Sequence, residues 1–196
     1  MNCWKRLVLP TTLVPALLAV VVPTAASQSS GINPALLTKA NAGDPAAQIG
    51  VGESYAAGNG IPRDLKLAAD WYRRAAEKGD IAGELHLAAL YRDGGKDFPR
   101  DMGQAANWYR KAADQGDVNA QATLGLLYFL GQGLQQDYVE AYFWLDLAAA
   151  VKGPKQQQYA ANRQLIGTHI TTDQLEEVHD RVAKWQAAHP RPAATE

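Results

Sequence analysis

The sequence predicts an all-α protein, an α-solenoid in which three copies of a helical hairpin stack on one another. Three ladders of identical residues indicate this, because tyrosine, aspartate and tryptophan each recur at intervals of 36 and 37 residues. The ladders are Tyr55, Tyr91 and Tyr128; Asp44, Asp80 and Asp117; and Trp71, Trp108 and Trp144. Because one such hairpin cannot bury its apolar face alone, we expect neighbouring copies to pack together.

The N-terminal segment, residues 1–26, is typical of a secretory signal. Lys5 and Arg6 precede an uncharged, largely apolar stretch, and small residues follow it at the expected cleavage point. An uncleaved membrane anchor is the alternative, but the stretch contains two prolines and is short for a bilayer, which needs roughly 20 apolar residues. We therefore expect an exported protein, periplasmic or secreted, without membrane insertion after cleavage, in which residues 27–32 form a linker.

Charge and cysteine content argue against several classes of protein. The chain of 196 residues has 19 basic and 20 acidic side chains, a formal net charge of −1, and no run of like charges that could follow a phosphate backbone. Nucleic acid is therefore not an expected partner. The single cysteine, Cys3, lies within the signal, so disulfides are not expected to stabilise the mature protein.

The first helix of each copy is predicted to begin at an aspartate of the ladder. In the third copy, Asp117 stands at the N-cap position, and four residues at i, i+4, i+7 and i+8 form one apolar stripe. These four are Ala120, Leu124, Leu127 and Tyr128. Paired glycines after the helix, such as Gly131 and Gly133, supply the left-handed backbone that ends it.

The second helix of each copy is predicted to begin at another aspartate, at position 64, 101 or 137. Asp101 with Gln104 and Asp137 with Glu140 have the spacing of a capping box. Alanines recur on one side of this helix and allow close approach of its neighbours, while the aromatic residues fill the remaining space. We therefore expect the tyrosine and tryptophan ladders to lie in the core.

The repeats are predicted over 44–79, 80–116 and 117–153, within a domain that spans 33–188. Residues 34–43 have the pattern of a preceding second helix and form an N-terminal half-repeat. Residues 154–188 are expected to form capping helices, because Thr171 and Gln174 make a capping box before an amphipathic stretch. Residues 189–196, which contain two prolines, are expected to be a disordered tail.

These assembled motifs resemble the Sel1-like repeat family, relatives of the tetratricopeptide repeats with a longer turn between paired helices. The resemblance covers about residues 44–153. The third copy carries Ala120, Leu124-Gly125, Tyr128, Gly131, Gly133, Asp137, Ala141 and Trp144 of the family pattern. The second copy departs from it in Gly94-Gly95-Lys96-Asp97-Phe98, where the turn is one residue longer. The resemblance implies a scaffold that brings proteins together, often at bacterial envelopes, and it names no partner.

The sequence shows no pattern that indicates catalysis or cofactor binding. The signatures of serine acyl transfer and of phosphate-binding loops do not occur. The histidines stand at 86, 169, 179 and 189, without the spacing that places two metal ligands on one helix face. We assign them to packing or to the surface, and we expect neither a metal nor a cofactor.

A partner is expected to bind the outward side of the first helices, opposite the buried stripe. With each capping aspartate counted as position 1, positions 6, 10 and 13 are predicted to face outward. They are Ile49, Glu53 and Ala56; Leu85, Ala89 and Arg92; and Ala122, Leu126 and Phe129. We expect Leu126 and Phe129 to anchor a peptide that Glu53 and Arg92 orient. The alternative is that the apolar members contact the C-terminal cap.

The function that these observations predict is that of a non-enzymatic adaptor or scaffold of the bacterial envelope. Two alternatives remain at this point. One is an enzyme acting on cell-wall or envelope material, which would require a convergent acid, base or nucleophile in one cleft. The other is a secreted regulator that binds a foreign protein.

Overall fold

The computed structural model describes residues 31–190 and contains nine helices over that range. The predicted signal, Cys3 and residues 191–196 of the predicted tail lie outside the described residues. The helices are α1 Pro34–Asn41, α2 Pro45–Ala57, α3 Leu65–Ala76, α4 Ile81–Asp93, α5 Met102–Asp114, α6 Val118–Leu130, α7 Tyr138–Ala149, α8 Gln156–Gly167 and α9 Thr172–Ala188. Between residues 31 and 190, none combines the length and apolar character that a membrane crossing requires. The predicted all-α solenoid is confirmed.

Aspartates cap the helices of the repeats as the ladder predicts. At the first helices, the carboxylate of the N-cap residue accepts a hydrogen bond from the third backbone N–H at 2.7–2.8 Å. At the second helices, Asp101 and Asp137 cap in the same way. The predicted reciprocal bond from Glu140 is replaced by an ion pair with Arg181. A complete capping box forms only between Thr171 and Gln174 among the described helices.

The turn inside each repeat is held by one recurring backbone hydrogen bond. The N–H of the aspartate that caps the second helix donates to the carbonyl of the ladder tyrosine, over 2.8–3.1 Å in the three copies. In the second copy, the longer turn forms an antiparallel bridge between Gly95 and Phe98. The Phe98 ring is buried against Tyr91, with centroids 5.1 Å apart. The extra residue is thus accommodated without changing how the two helices meet.

Neighbouring repeats meet through small side chains. The alanine pairs that end the second helices have exposed fractions of 0–7%. They are Ala75 and Ala76, Ala112 and Ala113, and Ala148 and Ala149. On the facing helix α4, a Cβ added to Gly83 would lie 2.7 Å from the Cβ of Ala75, closer than van der Waals contact allows. The second helix of one repeat therefore packs at close range against the first helix of the next.

The aromatic ladders divide between the core and its edge. Tyr128 and Trp144 of the third repeat are buried, with exposed fractions of 9% and 4%. The ladder members of the first two repeats, Tyr55, Tyr91, Trp71 and Trp108, are half-buried, which corrects the expectation that both ladders lie wholly in the core. Trp71 and Trp108 each carry a cation on the ring from the residue three positions later, Arg74 at 4.3 Å and Lys111 at 3.7 Å from the centroid.

A charged hydrogen bond ties each second helix to the next first helix. The Arg73 guanidinium donates to the Tyr91 hydroxyl at 3.0 Å, and Arg110 donates to the Tyr128 hydroxyl in the same way. At the end of the array the roles reverse, because Asp146 occupies the arginine position of α7 and accepts from Arg163 of α8. The second helix of the last repeat thus forms an ion pair with the C-terminal cap, in place of the arginine–tyrosine hydrogen bond that joins two repeats.

The C-terminal helices cover the outer side of α7. Helix α8 packs against α7 as a next first helix would, and α9 folds back onto α7. Where the earlier second helices carry Asp70 and Asn107, α7 carries Phe143, and the guanidinium of Arg181 in α9 lies 4.5 Å from that ring centroid. The apolar residues on the outer side of α7 thus explain why α9 packs there and caps the array.

One buried position of the first helix is glutamine in the first and third repeats and glutamate in the second. Gln48 and Gln121 are at most 4% exposed, and each donates from Nε2 to a carbonyl of the preceding helix at 3.1–3.2 Å. The equivalent residue of the second repeat is Glu84, which is 3% exposed and accepts from Gln115 at 2.9 Å. Burial raises the pKa of the Glu84 carboxyl, although Lys111 and the bond from Gln115 act in the opposite direction. A carboxylate here is less favourable than the amide of the other repeats.

Replacing Glu84 with Gln is expected to stabilise the protein at neutral pH by about 1 kcal/mol. Because the folded-state pKa of Glu84 is raised, its stabilising contribution is complete below the ordinary glutamate pKa and is lost as pH rises through the folded pKa. The advantage of Glu84→Gln should therefore grow between about pH 4 and pH 7, as thermal denaturation across this range will measure. Gln121→Glu is the matched control and should destabilise at pH 7. An advantage of Glu84→Gln that shrinks with rising pH would contradict the assignment.

Candidate functional site

The surface that the first helices leave uncovered forms a stripe across all three repeats. With the capping aspartate as position 1, positions 3, 7, 10 and 14 are exposed or half-buried in every copy. We call these residues the first-helix face: Ala46, Gly50, Glu53 and Ala57; Ala82, His86, Ala89 and Asp93; Asn119, Thr123, Leu126 and Leu130. Leu130, at 55%, is one of the most exposed large apolar residues of the described chain.

The predicted site residues fall on this face only at position 10, where Glu53, Ala89 and Leu126 stand. Position 6 turns inward, because Ile49 is 9% exposed within the core and Leu85 packs on the core between α4 and its neighbours. Each first helix packs against the second helix of its own repeat and against the second helix of the preceding repeat. Its solvent-exposed surface is therefore narrower than expected for a helix that buries only one stripe. The prediction that Ile49 faces a partner is therefore wrong.

The predicted residues at position 13 are already engaged within the chain. The Arg92 guanidinium donates to the Tyr109 hydroxyl at 3.1 Å and pairs with Asp93 at 2.7 Å. The Phe129 ring packs near Tyr138 and His169, with centroids 5.9 and 6.1 Å away. Because His169 lies between α8 and α9, Phe129 contacts the C-terminal cap, as the alternative reading of the sequence allowed.

A histidine that the sequence assigned to packing or surface lies at the middle of the face. His86 Nε2 is 3.6 Å from Glu53 Oε1, and its imidazole stacks on Tyr72 with centroids 4.9 Å apart. Burial, and secondarily Glu53, raises the pKa of Tyr72 to about 12, so its phenol stays protonated at neutral pH. The face is therefore polar where α2 and α4 adjoin. The repeat register could have revealed this pair, since position 10 of one copy faces position 7 of the next.

At the other end of the face, α8 lies beside α6 in the place of a fourth first helix. The side-chain carbonyl of Asn119 accepts from the Lys155 ammonium at 3.1 Å and from the Tyr159 hydroxyl at 2.9 Å. Leu126 and Thr123 border a cavity of about 190 Å³ between the two helices. The sequence did not indicate Lys155 and Tyr159, because α8 lacks the repeat pattern that would have placed them.

A second cleft, of about 720 Å³, lies between α5, α7 and α9 and contains two carboxylates. Asp137 accepts from the backbone N–H groups of Val139 and Glu140, and Glu140 pairs with Arg181 at 2.5 Å. Both carboxylates thus stabilise the fold. Over residues 31–190, no three metal-ligating side chains gather into a group that could hold an ion.

Comparison with known proteins places this geometry among repeat proteins. The family model described as Sel1 repeat matches residues 45–80, 81–117 and 118–150. A crystal structure of a Sel1 repeat protein from Oxalobacter formigenes is similar, with 30% sequence identity and a TM-score of 0.61. A protective antigen with an SLR fold from uropathogenic Escherichia coli aligns at 20% identity and a TM-score of 0.41.

The aligned regions are partial for both structures. The alignment with the Oxalobacter protein covers 79% of this chain and 61% of that chain. The alignment with the Escherichia coli antigen covers 82% of this chain and 52% of that one. No curated protein sequence matches this chain.

Truncation of Phe129 to Ala is expected to lower the free energy of unfolding by about 2 kcal/mol, because this ring packs on the core. Leu126→Ala is the matched comparison and should cost less than about 1 kcal/mol, since Leu126 borders an open groove. Urea denaturation of both variants measures the difference. Equal losses in the free energy of unfolding would show that Phe129 does not pack on the C-terminal cap.

Proposed function

The chain belongs to the Sel1 repeat family, whose repeats are generally protein–protein interaction modules, and from this premise we propose that it is an exported, non-enzymatic adaptor or scaffold of the bacterial cell envelope. It binds a protein or peptide partner along the first-helix face. Neither a cofactor nor nucleic acid takes part in this role.

The observation that carries the proposal is the continuity of the first-helix face across repeats and cap. Its side chains include small residues, such as the exposed Ala46 and the half-buried Ala89, which let a partner backbone approach closely. Leu126 and Leu130 at one end offer apolar contact, and Glu53 with His86 offers polar contact. This mixture is suited to an extended or amphipathic peptide, which needs apolar anchors and polar groups that fix its orientation.

Export is proposed from the sequence of residues 1–26. Their basic start, apolar stretch and small residues have the order that secretory signals require. Removing them leaves 17 basic and 20 acidic side chains. The mature repeat domain would then act in an oxidising compartment without cysteine, which suits a fold that depends on packing.

Bulky charged substitutions on the first-helix face are expected to block partner binding without unfolding the protein. Ala89→Arg and Leu126→Arg add a large cation at half-buried helical positions, and each should weaken capture of the partner at least tenfold. Quantitative mass spectrometry of proteins cross-linked to the wild type and to each variant in cells measures this loss. Ala183→Arg adds the same charge on exposed α9 and is the control. Unchanged capture by both face variants would disprove the proposed site.

Cleavage before Ser27 is expected when the full-length chain is expressed in a bacterial host. Intact-mass spectrometry of the purified protein should show a mature chain that lacks residues 1–26. Replacing Lys5 and Arg6 with Glu should reduce processing, because the basic start orients the signal. A protein recovered from the cytoplasm at full length would refute export.

A further inference from the structure

The groove between α6 and α8 has a composition that sets it apart from the rest of the first-helix face. Two adjoining cavities, of about 310 and 190 Å³, share Asn119, Lys155 and Tyr159 in their walls. We call the pair the α6/α8 groove. It continues the first-helix face beyond the third repeat, because α8 stands where a fourth first helix would.

The charge of the α6/α8 groove is positive. Lys152 and Lys155 line it, and no Asp or Glu is among its lining residues. Neither lysine pairs with a carboxylate of residues 31–190. The nearby carboxylate of Asp117 is engaged in capping α6 through the backbone N–H of Ala120. Both ammonium groups can therefore pair with an external anion.

Asn119 is fixed at the centre of the groove with its amide group oriented. Its side-chain oxygen accepts from both Lys155 and Tyr159, which leaves the amide NH₂ to donate elsewhere. Tyr159 is 8% exposed, and burial raises the pKa of its phenol, so it remains a donor to Asn119 at neutral pH. A fixed amide donor of this kind suits a peptide carbonyl of an extended ligand.

Apolar side chains flank this polar centre on both sides. Val118, Val151 and Pro154 contribute to one cavity, and Ala122 and Leu126 to the other. Each cavity can take an apolar side chain of moderate size. The groove therefore combines apolar pockets, an oriented amide and two ammonium groups that have no carboxylate partner among residues 31–190.

We propose that the α6/α8 groove binds an extended acidic segment of a partner protein, in which an apolar side chain lies next to Asp or Glu. This rests on the proposed function, since it names the chemistry of the partner that the first-helix face binds. The apolar side chain enters a cavity, the carboxylates pair with Lys152 and Lys155, and a backbone carbonyl accepts from Asn119. The two lysines make the groove favour acidic peptides over neutral or basic ones, and the apolar contact provides most of the binding affinity.

The test is selection of random ten-residue peptides displayed on phage against the full chain, followed by fluorescence anisotropy with a labelled peptide of the enriched sequence. Enriched sequences should place Leu, Ile, Val or Phe beside Asp or Glu. Lys152→Glu with Lys155→Glu should weaken this peptide at least tenfold, and its affinity should fall as salt is raised. The charge-matched control is Lys66→Glu with Lys96→Glu, at exposed positions outside the groove, which should leave affinity within twofold.

Each other outcome is decisive. Enriched peptides without acidic preference, or binding unaffected by Lys152→Glu with Lys155→Glu but lost in Ala89→Arg, overturn this inference and leave the proposed function standing. If no peptide is enriched although a partner cross-links to the wild type, this inference fails and the proposed function stands; if no partner cross-links either, the proposed function itself fails. A dimer in sedimentation that the groove double variant dissociates would assign the groove to a second copy of the chain and overturn the inference.

Discussion

Close packing of each second helix against the next first helix is the contact on which the architecture depends. It requires side chains no larger than alanine at the ends of the second helices, where Ala112 and Ala113 are fully buried. A larger residue would separate the repeats and disrupt the Arg110–Tyr128 hydrogen bond beside this seam. The regular spacing of the first helices, and with it the continuity of the first-helix face, follows from this one restriction.

Termination of the array depends on the chemistry of α7. Repetition alone would leave the outer side of α7 exposed, and its Phe143 and Leu147 would form an apolar surface without a partner. Helix α9 covers it with Val178 and Val182, both buried. The connection between α8 and α9 places His169 against Phe129, so the cap contributes to the edge of the first-helix face as well as to stability. Capping and the shape of the binding surface are thus coupled.

The repeat pattern predicts most of the fold and less of the site. Ladder residues such as Asp117 and Tyr128 fix the helices and their order, because capping and close packing act within one repeat and its neighbour. A single buried stripe predicts an outward position for Ile49, whereas two flanking helices cover this side chain. Lys155 could not be placed from the ladders, because α8 lies outside the periodic region and its position depends on tertiary contacts with α6.

The second helix of the last repeat carries an acid, Asp146, where the earlier ones carry an arginine. This exchange restricts where further repeats can be added to the array. A further unit placed after the third would bring a tyrosine hydroxyl, and no longer the Arg163 guanidinium, to the Asp146 carboxylate, so that a single hydrogen bond would replace an ion pair. Duplication of an internal unit leaves every junction chemically matched, while addition at the carboxyl end leaves Arg163 without its counter-ion. Longer descendants of this architecture are therefore expected to arise by insertion between existing units, with the terminal helices inherited unchanged.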